Sequence, residues 1–232
     1  MYVNIKEDIL MAIRLVLADF DGTLCDSMPY WAKLPGSALT KAGIEIPADL
    51  DELIRSRPMW EISYLFVERY PQLGDREILY KGWMDEMAEN YRCRIPMKPG
   101  AWELLAALKE AGIPVVLLSA TNHGLLDRAV ESYGLLPWLR DVITEGDVGA
   151  SKRTPRPFEF CMERFGVKAE EILLLEDSCP NICCAAELGL HSCAIYDESM
   201  AGSWETLRAR ADLAVDSFEE WPRVMELIRG IE

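Results

Sequence analysis

Residues 13–24 read IRLVLADFDGTL, an apolar run rich in Leu and Val that ends in two aspartates and a glycine. The stretch Ile13–Asp19 is short and nearly uninterrupted in its hydrophobicity, the pattern of a strand buried on both faces of a parallel sheet. Comparable runs recur downstream as Pro114–Ser119 (PVVLLS), Asp141–Thr144 (DVIT), Ile172–Glu176 (ILLLE) and Ser192–Tyr196 (SCAIY). Helical stretches lie between them. Ala101–Ala111 (AWELLAALKEA) carries Leu104, Leu105 and Leu108 on one stripe and stops at Gly112, as helices do where glycine relieves the left-handed closing turn. Leu125–Tyr133, Phe158–Phe165 and Cys184–Leu188 follow the same form and stop at Gly134, Gly166 and Gly189. This alternation predicts an α/β fold with a doubly wound parallel sheet, whose functional residues gather at the carboxyl ends of the strands.

One segment breaks the alternation. Residues 27–96 contain no convincing strand but have helical stretches at Trp31–Ala42, Leu50–Ser56, Trp60–Tyr70 and Arg76–Tyr91. The aromatics Trp31, Trp60, Tyr64, Phe66, Tyr70, Tyr80, Trp83 and Tyr91 gather there, and packing inside a small helical bundle is their expected role. The economical reading is a discontinuous core, residues 1–26 and 97–232, with an all-helical domain inserted at 27–96. Met1–Leu10 precede the first strand and read as a frayed extension, or as a leader to translation from Met11.

The chain has 232 residues, half of them hydrophobic, which is ample for a buried core. With 39 acidic against 24 basic residues its formal charge is −15, which repels polyanions and argues against binding to nucleic acid or to anionic membranes. An anionic substrate must therefore be caught by a local site. No apolar run approaches the roughly 18–20 residues of a membrane helix, and Lys6, Glu7 and Asp8 do not resemble an export signal. A cytoplasmic protein without an obligate protein partner is expected. Its seven cysteines include no CxxC pair, which suits reduced thiols. Cys179, Cys183 and Cys184 raise the thought of a metal site, but with Ile182, Ala185 and Ala186 beside them helix packing is the better reading.

Chemistry concentrates where the strands end. Asp19 and Asp21 leave the first strand two residues apart, and the turn at Gly22 can aim both at one point. A pair of this kind alone says little. Ser119 in LLSATN, Lys152 in SKRTPRPFEF and Glu176-Asp177-Ser178 in ILLLEDSCPN each lie at or just beyond another strand's carboxyl end, so the topology would bring all of them to one edge.

With these four segments in order, the chain resembles the haloacid dehalogenase superfamily, in its phosphatase and β-phosphoglucomutase-like branch with a helical cap. DFDGTL, the Ser of LLSATN, Lys152 before PRP, and EDS match the four motifs. MKPGAWELLAALKEAGIPVVLLS resembles the return from cap to core. The resemblance spans Ile13 to about Phe218 and implies a Rossmann-like core with a cap at 27–96. It implies a Mg²⁺-dependent phosphohydrolase in which Asp19 attacks phosphorus and forms an aspartyl-phosphate, while Asp21 serves as general acid and then base. Ser119 and Lys152 would hold the phosphoryl oxygens, and Thr23, Thr121, Asn122 and Arg57 would face the substrate, Thr23 also fixing its loop. The metal would be held by Asp19, Asp177 and the backbone carbonyl of Asp21, with Glu176 behind them.

Elementary electrostatics agrees. A phosphate dianion about 4 Å from the Asp19 carboxylate meets on the order of 8 kcal/mol of repulsion at an effective dielectric of 20, and a hard cation with oxygen ligands is suited to cancel it. Two spellings depart from the family pattern. Lysine usually stands directly before the first proline, where this chain has Thr154, which leaves Arg153 and Arg156 as rivals to Lys152. The glycine usual three residues after EDS is Asn181, a residue that tolerates a left-handed turn.

An acid at Asp21 argues against a dehalogenase, since a halide leaving group needs no proton. Mutase-like members place a histidine twelve residues beyond the nucleophile, where this chain has Trp31. The expected function is hydrolysis of a small phosphate monoester, a sugar phosphate or a phosphoglycolate-like compound. A phosphosugar mutase and a noncatalytic phosphometabolite-binding protein are the alternatives. Arg55 and Arg57 are the basic residues placed to meet a second anionic group, although a basic residue on a helix is commonly a solvated one. Arg57→Ala is expected to raise KM for the true substrate more than for p-nitrophenyl phosphate, and an equal rise for both would remove Arg57 from the pocket.

Overall fold

The computed structural model describes residues 13–54 and 57–231. The readings of Met1–Leu10 and of Arg55 lie outside them. Six parallel strands, β1 (Leu15–Ala18), β2 (Val115–Ser119), β3 (Asp141–Thr144), β4 (Ile172–Glu176), β5 (His191–Ile195) and β6 (Leu213–Val215), form one sheet in the order β3-β2-β1-β4-β5-β6. Four helices, α1 (Met28–Lys41), α2 (Leu50–Ile54), α3 (Met59–Arg69) and α4 (Arg76–Cys93), follow β1, and α5 (Ala101–Glu110) leads into β2. Then come α6 (His123–Tyr133) after β2, α7 (Glu145–Val148) and α8 (Arg156–Phe165) after β3, α9 (Cys179–Glu187) after β4, α10 (Trp204–Arg210) after β5 and α11 (Trp221–Gly230) after β6. No described helix is long and apolar enough to cross a membrane.

The chain divides into two units. The first comprises the segment ending at Leu24, Met97–Asn122 and the chain from Leu136 onward, and it contains the whole sheet. Every residue of β1, β2 and β4 is buried, as expected of central strands covered on both faces. On one face Leu15, Leu17, Val116, Leu118, Ile172 and Leu174 meet Phe158 and Cys161 of α8 and Cys184 and Ala185 of α9. The residues of β1 that point there are separated by two, the strand period. Because Cys161 and Cys184 belong to this packing, and Cys193 is fully buried in β5, burial pushes the Cys161 thiol up to about 12. All seven cysteines are free.

The second unit comprises Cys25–Pro96 and His123–Leu135. In α3 and α4 the buried faces carry Ile62, Phe66, Trp83, Met87 and Tyr91, with Phe66 edge-on to Trp83 at 5.8 Å between ring centroids. Bundle packing therefore accounts for Phe66, Trp83 and Tyr91. It does not account for Trp60 and Tyr64, which are 59% and 56% exposed: they stand four residues apart on the other face of α3. Helix α6 packs on α4, and the Tyr133 hydroxyl donates to the Ile95 carbonyl at 2.7 Å. Residues 123–135, which the sequence reading kept within the 97–232 core, thus group with the helical unit. Helical periodicity shows which face is buried, not what buries it.

Helix α9 begins at Cys179, five residues before the start read from sequence, because Pro180 near its first turn has a φ already suited to a helix. Asn181 is consequently a buried helical residue and forms no left-handed turn. At Gly100, by contrast, φ is +81° and an added Cβ would lie 2.1 Å from the Phe218 backbone. Gly100→Ala is expected to destabilise the core by more than about 2 kcal/mol in urea unfolding, from strain and overlap together. A loss below about 0.5 kcal/mol would show that the backbone at Phe218 yields freely.

Candidate active site

The strand order puts β1 between β2 and β4, so the chain leaves β1 at the point where connections turn to opposite sides of the sheet. Asp19 is the first residue past β1, and its backbone N–H still donates to the Leu175 carbonyl at 2.9 Å. Ser119 ends β2 and Glu176 ends β4. Gly22, at φ +82°, then turns the chain sharply after Asp21.

Lys152 reaches this edge from the loop between α7 and α8. Its ammonium forms a buried ion pair with Asp19 Oδ1 and another, at 2.8 Å, with Glu176 Oε2. Of the three basic residues weighed from sequence, only Lys152 is buried here: Arg153 is exposed, and Arg156 is exposed and pairs with Glu163 at 3.0 Å. The Lys152 loop is held by Glu145, whose Oε1 accepts from the Lys152 backbone N–H at 2.7 Å and from the Ser151 hydroxyl at 3.0 Å. Glu145 escaped the sequence reading, although it directly follows the last residue of a strand.

The remaining expected residues take distinct positions. Buried Ser119 accepts from the Thr121 backbone N–H at 3.1 Å, and the Thr121 hydroxyl donates to Asp21 Oδ2 at 2.7 Å. Thr121, expected on substrate, is therefore engaged with Asp21. The Thr23 hydroxyl donates to Asp177 Oδ1 at 3.0 Å and ties the first loop to the end of β4. Asn122 is exposed at the end of the Ser119 segment. Arg57 belongs to the helical unit, where its guanidinium donates to the Leu53 carbonyl and lies 3.7 Å from Glu61.

Carboxylate oxygens of Asp19, Glu176 and Asp177 all lie within 4.8 Å of one another. The Asp21 carboxylate is not among them. Both Glu176 oxygens are already engaged, Oε1 by the Ser178 N–H at 3.1 Å and Oε2 by Lys152, which leaves Asp19 and Asp177 as the better donors to a cation. Burial, then crowding by Glu176, raises the Asp19 carboxyl despite the opposing charge of Lys152. Burial also lifts Asp177 well above the usual carboxylate range, helped by Glu176, Asp19 and Asp197. Burial opposes the charge on Lys152, but Asp19 and Glu176 outweigh it and raise its pKa.

Among the described residues, the buried charged side chains are four acids, Asp19, Glu176, Asp177 and Asp197, and two lysines, Lys98 and Lys152. With all six ionised, two negative charges would stand uncompensated, and one hard divalent cation on Asp19 and Asp177 would balance them. The donor set therefore fits Mg²⁺.

A parallel α/β core carrying an acidic pair after its first strand, a buried lysine on the first acid and carboxylates after the neighbouring strand defines a hydrolase of one recognisable type. The family model described as haloacid dehalogenase-like hydrolase matches residues 13–189, and the chain belongs to that family. It is 26% identical over 189 residues to the phosphoglycolate phosphatase of Neisseria gonorrhoeae, covering 79% of this chain and 80% of the relative. It is also 27% identical over 167 residues to (S)-2-haloacid dehalogenase 4A of Burkholderia cepacia, covering 70% and 69%. A solved structure from Thermotoga maritima assigned as a beta-phosphoglucomutase superposes with a TM-score of 0.76 at 20% identity, over 93% of this chain and 99% of that one, and shares the fold.

Saturating Mg²⁺ is expected to raise the thermal midpoint of the metal-free protein by roughly 5–10 °C. Asp177→Asn is expected to abolish the rise in differential scanning fluorimetry. An equal rise in that variant would place the cation elsewhere.

Proposed function

We propose that this hydrolase is a Mg²⁺-dependent phosphatase acting on a small phosphate monoester, a sugar phosphate or a phosphoglycolate-like compound, through an aspartyl-phosphate on Asp19. The observation that carries the reading is the second carboxylate: Asp21, two residues beyond Asp19, is held by the Thr121 hydroxyl beside the Lys152–Asp19 pair. An alkoxide leaving group needs a proton donor, a role Asp21 can fill, whereas a halide needs none. The name of the Neisseria relative supports the same choice.

In the proposed sequence a carboxylate oxygen of Asp19 attacks phosphorus and the bond to the ester oxygen breaks as Asp21 protonates that oxygen. Water then attacks phosphorus of the acyl phosphate, Asp21 takes its proton, and inorganic phosphate leaves with the Asp19 carboxylate restored. Lys152 and the Ser119 hydroxyl follow the negative charge as it moves onto the phosphoryl oxygens. Thr23 holds Asp177, and Glu145 holds the Lys152 loop. When bound, Mg²⁺ supplies the positive charge that lets two anions approach. The helical unit is assigned the role of cap, selecting the leaving group. A phosphorylated metabolite is the proposed partner, and the cytoplasm the proposed location.

Phosphate release measured over sugar phosphates, phosphoglycolate and nucleoside monophosphates is expected to require Mg²⁺. Asp19→Asn is expected to lower it by at least about a thousandfold, and Lys152→Met by about a hundredfold to a thousandfold. Activity surviving in Asp19→Asn would overturn the mechanism. Movement of phosphate between positions of one sugar without release would identify a mutase instead.

A further inference from the structure

The two aspartates that follow β1 have partners of different kinds. Asp19 meets the buried Lys152 ammonium, whereas Asp21 Oδ2 accepts from the Thr121 hydroxyl at 2.7 Å. Thr121 is itself held from behind. Its backbone N–H donates to Ser119 Oγ at 3.1 Å, and Ser119 is the last residue of β2, a strand buried throughout. Strand β2 pairs directly with β1, with Leu117 opposite Ala18, so the hydroxyl reaches Asp21 from the neighbouring strand's end. No step of the proposed reaction uses Thr121.

The two partners differ in a way that matches the two roles. An ammonium can only donate hydrogen bonds and favours a carboxylate that stays ionised, as a nucleophile must. A hydroxyl has one hydrogen and two lone pairs, so it can donate to a carboxylate and accept from a carboxylic acid. Thr121 can therefore keep the Asp21 side chain in one orientation before and after its proton passes to the leaving oxygen. Proton transfer demands that orientation, because the acid must stand within hydrogen-bond reach of the oxygen it serves. With its single hydrogen on Asp21, Thr121 has none to give a phosphoryl oxygen, which separates it from Ser119 and Lys152.

We infer that Thr121 is a positioning residue that holds Asp21 for proton transfer, and that this fits the site to phosphate esters of unactivated alcohols, whose alkoxides leave poorly without a proton. An activated ester, whose leaving group departs as a stable anion, gains little from it. The inference rests on the reading of Asp19 as nucleophile and Asp21 as acid.

The test compares kcat/KM of the full chain with Mg²⁺ for two alkyl phosphates, phosphoglycolate and glucose 6-phosphate, and for p-nitrophenyl phosphate, whose phenoxide leaves without a proton. Thr121→Val removes the hydroxyl but keeps the side-chain shape and the backbone contact to Ser119. It is expected to lower kcat/KM for the alkyl phosphate that the wild type turns over by about thirtyfold to a hundredfold, and for p-nitrophenyl phosphate by less than about threefold. Thr121→Ser restores a hydroxyl and is expected to return the alkyl phosphate to within about threefold of wild type. Equal losses for both classes of ester would overturn the inference, because a residue that only supports the fold or touches the phosphate cannot tell leaving groups apart. An undiminished rate on the alkyl phosphate would do the same, as would a wild-type chain that cleaves p-nitrophenyl phosphate but neither alkyl phosphate. Should Thr121→Val not fold, Thr121→Ala is read by the same comparison. Phosphate release from none of the three esters by the wild type would overturn the phosphatase reading and this inference with it, whereas wild-type turnover with equal losses in the variant overturns the inference alone.

Discussion

Lys152 sits inside the protein with its ammonium against two carboxylates, Asp19 and Glu176, and the site is arranged around that triad. Each charge taken from water costs several kcal/mol, and only close opposite charges and well-made hydrogen bonds offset this. The arrangement demands three things of the fold. Strands β1 and β4 must lie side by side and end level, so that Asp19 and Glu176 can share one cation. The loop after α7 must carry Lys152 inward, which Glu145 secures by accepting its backbone N–H. The surroundings must also be apolar and closely packed, which the fully buried strands provide.

The same triad places a buried cation inside a chain of formal charge −15. Most basic residues are at the surface, in exposed pairs such as Arg69 with Asp49, which contribute little to stability. Lys152 and Lys98 are the two buried cations among the described residues, and both lie at the carboxyl ends of the strands. Positive charge inside a low-dielectric wall acts more strongly than the same charge in water. Even so, among the described residues the buried acids outnumber the buried lysines, four to two, an excess that a divalent cation would offset.

Much of the core was legible in the sequence because its signals are local. Five of the six strands are continuous apolar runs, and β6, only three residues long and half-exposed, lacks such a run. The acids and Lys152 stood out because each follows or lies near a strand end. The partners that hold them did not. Thr121 was expected on the substrate, and nothing in the sequence joins its hydroxyl to Asp21, a hundred positions away in the chain; nor does anything there mark Lys98 as the partner of Asp197. Exposed Trp60 and Tyr64, and Asn181 inside α9, show the converse: residue type alone states neither burial nor backbone conformation.

By itself, the sequence determined the strand and helix periodicities, the parallel α/β class, the strand-free helical stretch after the first strand and a set of candidate site residues, since these depend on residue type and on spacings of a few positions. Only the tertiary structure decided which residues share charge: Lys152 over Arg153 and Arg156, Glu176 on Lys152, Asp197 with Lys98, and α6 with the helical unit. The physical reason is that burial and pairing are properties of neighbours in space. A carboxylate's solvation and charge balance are set by groups that the sheet order brings to it from distant parts of the chain.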